Sequence, residues 1–320
     1  MSTVTERISA IGIMPVISKL ASEEECTGLS RALRDGGIPQ MEITFRMANA
    51  EKYIRFVRET EADILVGAGT VINTEQAALA IDAGAQFVVA PGLNPEVVRF
   101  CQEKGVDVIP GVATASEIEQ ALGMGLKLVK FFPAEQMGGV ATIKALCGPY
   151  KGIDFMPTGG VNLNNLASYM VFDRIAACGG TYMLGSFLPK HEWDEITKLC
   201  RQSVQTMLGL KLCHIGVNEE NAEDALRTAK LFASLLQIEV KEGNSSNFAG
   251  TVVEVMKGNG RGRNGHLCFS TPNLDRTVRY FKAMGWKFDD AAAKTGPDGK
   301  LKVIYMQDEI GGFAIHYIKE

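Results

Sequence analysis

A lysine set in the middle of an apolar run is the first feature of this chain that could do chemistry. Lys130 lies in the segment Leu126, Lys127, Leu128, Val129, Lys130, Phe131, Phe132, Pro133, which otherwise reads as a buried strand. Side chains alternate along a strand, so Leu126, Leu128, Lys130 and Phe132 share one face. If that face is internal, apolar neighbours disfavour the ammonium form, and a neutral lysine attacks carbonyl carbon. A second run alternates in the same way: Met41, Ile43 and Phe45 fall on one side, Glu42, Thr44 and Arg46 on the other. If the polar set faces the same interior, an acid, an amine and a guanidinium meet there. Two readings stand at this point. One is a catalytic constellation; the other is a buried Glu42–Lys130 ion pair, or a lysine snorkelling from a strand end.

The elements that would position these groups are repetitive. Short apolar runs at 12–17, 41–45, 64–71, 87–92, 106–112, 128–134, 155–160 and 181–184 are separated by longer amphipathic stretches, among them 23–35, 75–82, 96–104 and 116–122. Ser22, Thr74, Asn94 with Pro95, and Ser116 stand where helix N-caps are expected. Eight strand–helix alternations predict a parallel α/β architecture and match the count that closes a (β/α)8 TIM barrel. An open doubly wound sheet is the alternative, but it usually shows one glycine-rich turn, whereas here glycines follow several strands. A barrel strand meets helices with its outer face, which should be apolar; Glu42, Thr44 and Arg46 are thereby expected inside. A helix over 191–208, with Gly209 as its C-cap, would close this domain, giving boundaries of 1–209 and 210–320.

Composition narrows the class. In 320 residues, 46% are apolar and 22% charged, which excludes a disordered or collagen-like chain. No apolar stretch approaches the roughly 20 residues of a bilayer helix. With 33 Lys plus Arg against 37 Asp plus Glu, the net charge of −4 offers no general attraction for nucleic acid or anionic lipid. The N-terminus carries no basic segment followed by an apolar core, and Cys26, Cys101, Cys147, Cys178, Cys200, Cys213 and Cys268 form no CxxC pair. A cytoplasmic protein with reduced thiols and a small-molecule partner is expected. The 34 glycines exceed the usual ~7% share, and many end the apolar runs.

The ordered segments Glu42-Ile-Thr-Phe-Arg46, Val66-Gly-Ala-Gly-Thr70, Ala90-Pro-Gly92, Ile109-Pro-Gly111, Val129-Lys-Phe-Phe-Pro-Ala-Glu135 and Pro157-Thr-Gly-Gly160 resemble the class I 2-keto-3-deoxy-6-phosphogluconate (KDPG) and 4-hydroxy-2-oxoglutarate (KHG) aldolases over about residues 8–208. The resemblance implies an aldehyde-lyase that reversibly cleaves a 2-keto-4-hydroxy acid to pyruvate and an aldehyde, glyceraldehyde 3-phosphate or glyoxylate. It implies Lys130 as the Schiff-base lysine, Glu42 as general acid/base, Arg46 on the pyruvate carboxylate, and Thr70, Pro91 and Phe132 lining the pyruvate site. No metal cofactor is implied, and the family suggests a homo-oligomer, commonly a trimer. Arg46 is followed by Met47 where the family often has threonine. Gly159, Gly160, Gly180 and Thr181 follow the last two strand positions, where barrels often bind phosphate through backbone N–H groups; tight turns alone would also account for the glycines.

Beyond Leu210 the pattern changes. Lys211 to Met256 and Asn264 to Ile318 each read as strand, helix and further strands, a duplicated βαβββ unit of α+β type. This resembles the vicinal oxygen chelate group, which includes glyoxalase I and the extradiol dioxygenases. The resemblance implies a divalent metal held by His214, Glu254, His266 and His316, with zinc, nickel, iron or manganese compatible with that donor set. His316 stands where the glyoxalases usually have a carboxylate. Hydrogen-bonded strand histidines kept by duplication are the alternative, and the module could instead serve ligand binding or assembly.

Overall fold

The structure, a computed structural model, describes residues 3–320. It separates into two compact units, the first closing at Met207 and the second running Leu208–Glu320. Among the described residues no helix is long and apolar enough to cross a membrane.

In the first unit the strands are β1 Ile13–Ile17, β2 Gln40–Thr44, β3 Leu65–Gly69, β4 Phe87–Val89, β5 Asp107–Ile109, β6 Gly111–Val112, β7 Leu128–Phe131, β8 Asp154–Pro157 and β9 Cys178–Gly180. The helices are α1 Val4–Ile11, α2 Glu23–Asp35, α3 Ala50–Thr60, α4 Thr74–Asp82, α5 Pro95–Glu103, α6 Ala115–Gly123, α7 Gly139–Leu146, α8 Leu163–Met170 and α9 Trp193–Leu208. All strand pairs are parallel, in the orders β5-β4-β3-β2-β1-β9 and β6-β7-β8. Pro110 alone separates β5 from β6. Lacking an N–H, it cannot continue the ladder as a donor, but its carbonyl accepts from Lys130 N at 2.9 Å. Parallel bridges Phe155↔Ile175 and Thr158↔Gly179 join β8 to the β9 segment. The result is a curled parallel α/β unit of TIM-like type.

Its inner face is apolar at one end. Met14, Leu65, Phe87, Val89, Ile109, Leu128, Met156, Ala176 and Ala177 form one buried cluster, joined by Ile8 of α1. That helix begins with a capping box between Thr3 and Glu6. It is tied to β5, because the Thr5 N–H and hydroxyl both donate to Asp107 Oδ2, at 3.1 and 2.9 Å. α1 thus closes the end at which the strands begin. Along β3, glycine is required by its neighbours: a Cβ on Gly67 would lie 2.4 Å from the Phe87 ring.

Three expectations are corrected. The last strand is β9 at Cys178–Gly180, and residues 181–184 form turns. The cap of α4 is Asn73, whose side chain accepts from Gln76 N, not Thr74. The cap of α6 is Thr114, in a capping box with Glu117, not Ser116.

The second unit runs β10 Lys211–Asn218, α10 Ala222–Leu236, β11 Val240–Glu242, β12 Ser246–Ala249, β13 Val253–Met256, then β14 His266–Thr271, α11 Leu274–Ala283, β15 Phe288–Thr295, β16 Leu301–Met306 and β17 Ala314–Lys319. The eight strands form one sheet, ordered β11-β12-β13-β10-β14-β17-β16-β15. Read from its two edges inward, the sheet is the same four-strand pattern twice. Each half has its own apolar cluster on one face: Ala225, Ala229 and Ala233 of α10 against Ala249, Val253 and Val255, and Leu274 and Val278 of α11 against Phe288, Ile304, Ile315 and Tyr317. The strand period of two then sends Glu254 and His316 to the opposite face.

The fully buried Ile8 gives a direct test of the end closure. Ile8→Ala is expected to destabilise the first unit by about 2–5 kcal/mol in urea unfolding. A change near zero would mean that α1 is not part of the core.

Candidate functional site

Strand register brings the lysine and the acid together. On β2, Gln40, Glu42 and Thr44 pair with Leu65, Gly67 and Gly69 of β3, which places them on the inner face with the apolar cluster. On β7, Lys130 pairs with Gly111 and Met156, and Leu128 belongs to the same cluster. Lys130 Nζ lies 3.7 Å from Glu42 Oε1, with 6% and 0% of the two side chains exposed. That separation is an ionic approach and too long for a hydrogen bond. Neither Glu42 carboxylate oxygen meets a hydrogen-bond donor among the described residues. A buried carboxylate with so few partners is costly to fold around.

Glycine makes room for it. A Cβ on Gly69 would sit 2.0 Å from Glu42 Oε1 and 2.5 Å from its Cγ. The polar neighbours on β2 are satisfied differently: Thr44 Oγ1 donates to Ile17 O at 3.0 Å and Gln40 Nε2 to Ile13 O at 2.7 Å. These bonds fix β2 against β1 and leave the Glu42 carboxylate as its unengaged acid.

The remaining residues expected at the site follow the strand ends. Thr70, one residue past β3, is left-handed with φ 57°, a conformation that a threonine adopts at a strain cost and that clusters at functional sites. Pro91 follows β4, and its carbonyl oxygen would lie 2.0 Å from a Cβ on Gly111. Phe132 is past the end of β7 and 37% exposed; its ring centroid lies 5.3 Å from Lys130 Nζ. It is not the fourth residue of one strand face, as alternation alone suggests. Arg46 departs further. β2 ends at Thr44, and Arg46 lies exposed in the turn that follows, with no ion pair or hydrogen bond among the described residues. Gly159 and Gly160, with φ 99° and 81°, follow β8, and Thr181 follows Gly180 of β9. The Thr158↔Gly179 bridge sets these two segments side by side.

The second unit gathers the four other candidates. His214 Nε2 and His266 Nε2 lie 3.2 and 3.1 Å from Glu254 Oε2 and 3.2 Å from each other. The ligand atoms of His214, His266 and His316 all fall within 4.8 Å of one another. Both His316 nitrogens are buried without a hydrogen-bond partner. Register explains the convergence: Gly216 of β10 pairs with Glu254 of β13, and Cys268 of β14 with His316 of β17. His214 precedes Gly216 by two residues and His266 precedes Cys268 by two. The four donors therefore occupy two pairs of equivalent positions in the repeat. A Cβ on Gly216 would strike the His266 ring at 2.0 Å, so the duplicated position needs glycine on one side only.

Electrostatics separates these donors. Burial pushes Glu254 up, but hydrogen bonds from His214, His266 and Ser246 outweigh it and hold the carboxyl well below its usual range. Burial first, then His266 and His214, lowers His316 to about 3, so its imidazole is neutral and its lone pair is available near neutral pH. Sequence reasoning did not find Ser246, which donates to Glu254 Oε1 at 2.6 Å, nor Tyr305, stacked on His316 at 4.6 Å with Arg261 4.5 Å from its own ring. In the first unit it passed over Gly69; glycines spaced two apart on an inward strand were the signal.

The profile of the family described as KDPG and KHG aldolase matches residues 4–199. A 2-dehydro-3-deoxy-phosphogluconate aldolase of Treponema pallidum (strain Nichols) is 47% identical over 206 residues, 64% of this chain and 98% of its own. The KHG/KDPG aldolase of Escherichia coli (strain K12) is 36% identical over 205 residues, 63% of this chain and 96% of its own. Among solved structures, a KDPG aldolase from Legionella pneumophila, with pyruvate captured as a covalent carbinolamine intermediate, superposes with a TM-score of 0.60 at 36% identity. It covers 62% of this chain and 97% of that one.

The packing around Glu42 is open to test. Gly69→Ala is expected to displace the carboxylate and to destabilise the unit by about 1–3 kcal/mol in urea unfolding. An unchanged unfolding midpoint would show that the two groups do not compete for space.

Proposed function

The chain belongs to the KDPG and KHG aldolase family through residues 4–199, and on that basis we propose Lys130 as its Schiff-base lysine and Glu42 as its acid/base. The enzyme is a class I aldolase that cleaves KDPG to pyruvate and glyceraldehyde 3-phosphate; cleavage of KHG to pyruvate and glyoxylate is the companion reaction suggested by its relatives. The observation that carries the residue assignment is the buried Glu42 carboxylate, unpartnered and facing Lys130 Nζ at 3.7 Å.

The steps follow from that geometry. Lys130 Nζ attacks the C2 carbonyl, and loss of water gives a protonated imine. Glu42 removes the C4 hydroxyl proton as the C3–C4 bond breaks; the bond's electron pair moves into the imine, giving an enamine and releasing the aldehyde. Glu42 then returns its proton to C3, and water cleaves the imine to free pyruvate and Lys130. The iminium takes up the electron pair, so the reaction needs no metal. Thr70, Pro91 and Phe132 surround the pyruvate portion in this assignment. Arg46, in the turn at the end of β2, is taken to meet the carboxylate, with the guanidinium fork suited to that role. Gly159, Gly160, Gly180 and Thr181 are taken to receive the substrate phosphate, and the strands to close as a (β/α)8 barrel with β5 and β6 as one strand.

For the second unit we infer a vicinal-oxygen-chelate-like module that holds one divalent metal on His214, Glu254, His266 and His316. The twice-repeated strand order, the convergence of three imidazoles and the unpartnered buried His316 support this reading. Two imidazoles set against the Glu254 carboxylate, a third with a free lone pair and that carboxylate make a donor set suited to zinc, nickel, iron or manganese. A bound ion would supply Lewis acidity; these side chains fix its position.

Two measurements check these assignments. Incubation with pyruvate and borohydride should attach a reduced three-carbon adduct at Lys130, and Lys130→Ala should remove both adduct and turnover; an adduct elsewhere contradicts the assignment. Metal analysis after zinc loading and dialysis should find about one ion per chain, lost in His266→Ala. Chelator should strip the ion and leave KDPG cleavage unchanged.

A further inference from the structure

The loop that follows the Lys130 strand is pinned to the turn after the next strand by its backbone, and one tyrosine holds its acid. Ala134 N and Glu135 N donate to Thr158 O and Gly159 O, at 2.8 and 3.1 Å, so residues 134–135 run along the end of β8. The Glu135 side chain then crosses the glycine pair. A Cβ on Gly160 would meet its Cβ and Cγ at 2.7 and 2.6 Å, whereas a Cβ on Gly139 would lie 3.0 Å from its Oε1. Its methylenes therefore cover Gly160, and its carboxylate is drawn to the first residue of α7, where the helix end favours a negative charge. The Tyr169 hydroxyl of α8 donates to that same Oε1, and the Tyr169 side chain is fully buried. On the far side, Asn162 Nδ2 and Asn165 Nδ2 both donate to Gly160 O, at 2.9 and 3.1 Å.

A carboxylate beside a phosphate seat is an obstacle, because like charges repel over several ångströms. We propose that Tyr169 is a positioning residue for the phosphate end of the substrate: by holding Glu135 over Gly139 it keeps this carboxylate off the Gly159–Gly160 turn. The proposal rests on the reading of Gly159 and Gly160 as phosphate-binding. It concerns neither the imine chemistry nor the pyruvate end, which lie on the inner strand face. Burial, followed by the bond to Glu135, raises the Tyr169 hydroxyl above its ordinary range, so it remains a donor throughout the working pH range.

The test compares KDPG with the unphosphorylated KHG. In Tyr169→Phe, which preserves packing, KM for KDPG should rise about fivefold or more. Its kcat, its KM for KHG and its rate of pyruvate–borohydride trapping should stay at wild-type values. Glu135→Gln in the Tyr169→Phe background should restore KM for KDPG, since a neutral amide no longer repels the phosphate. An unchanged KM for KDPG, an equal rise for both substrates, or a failure of rescue would overturn the role of Tyr169. Inorganic phosphate, tested on the wild-type enzyme, separates the two readings. Competition with KDPG in wild type, together with an unchanged KM in Tyr169→Phe, sinks only the positioning role; absence of competition sinks the phosphate seat and the proposal together. If Tyr169→Phe is too unstable to assay, Glu135→Gln alone should leave KM for KDPG no higher than wild type, and a rise there would count against repulsion.

Discussion

A carboxylate held inside a protein with no hydrogen-bond donor is among the least favourable groups a fold can carry. In the first unit that group is Glu42, and much of the surrounding sequence accommodates it. β2 is fixed to β1 by Gln40 and Thr44. β3 supplies Gly69 where any side chain would collide with the acid, and β7 brings Lys130 within 3.7 Å. The apolar layer from Met14 to Ala177 is buried and packs toward the strand starts. The carboxylate is confined by its surroundings rather than hydrogen-bonded by them, which suits the acid/base role proposed for it.

The second unit reaches its polar cluster by another route. Two copies of one strand pattern place donors at equivalent positions, and the sheet's central β10–β14 pair joins the copies edge to edge. The copies are not identical in chemistry. One contributes His214 and Glu254, the other His266 and His316, and Gly216 gives space that its counterpart Cys268 does not. Duplication explains why four polar groups meet on one face; it does not by itself assign them a task.

Much of this was legible in the chain. Lys130 and Glu42 were readable because a polar residue inside an apolar alternating run has few explanations, and the histidines because their spacing followed the repeat. What failed has local physical reasons. β9 was misplaced because Cys178, Gly179 and Gly180 lack the branched side chains that mark strands; Gly179 is small because a Cβ there would fall 2.4 Å from Thr158 Oγ1. Arg46 was carried inward by extrapolating alternation beyond Thr44, where the strand gives way to a turn. The helix caps were misread by one or two residues, since Asn73 and Thr114 are as able to cap as their neighbours Thr74 and Ser116. The Glu135–Tyr169 bond, 34 residues apart in the chain, left no local pattern at all.

The closure of the first unit by α1 has a bearing on traffic. With Ile8 and the apolar layer filling the strand starts, Lys130 is closed off on that side, and on the proposed assignment a molecule bonded to it comes and goes by the other end of the strands. Of the two fragments, pyruvate is the one tethered to Lys130, and the aldehyde is free to leave. Departure is thereby ordered, aldehyde first and pyruvate last. In the synthetic direction the order reverses, and an aldehyde arriving before pyruvate would find no enamine to add to it.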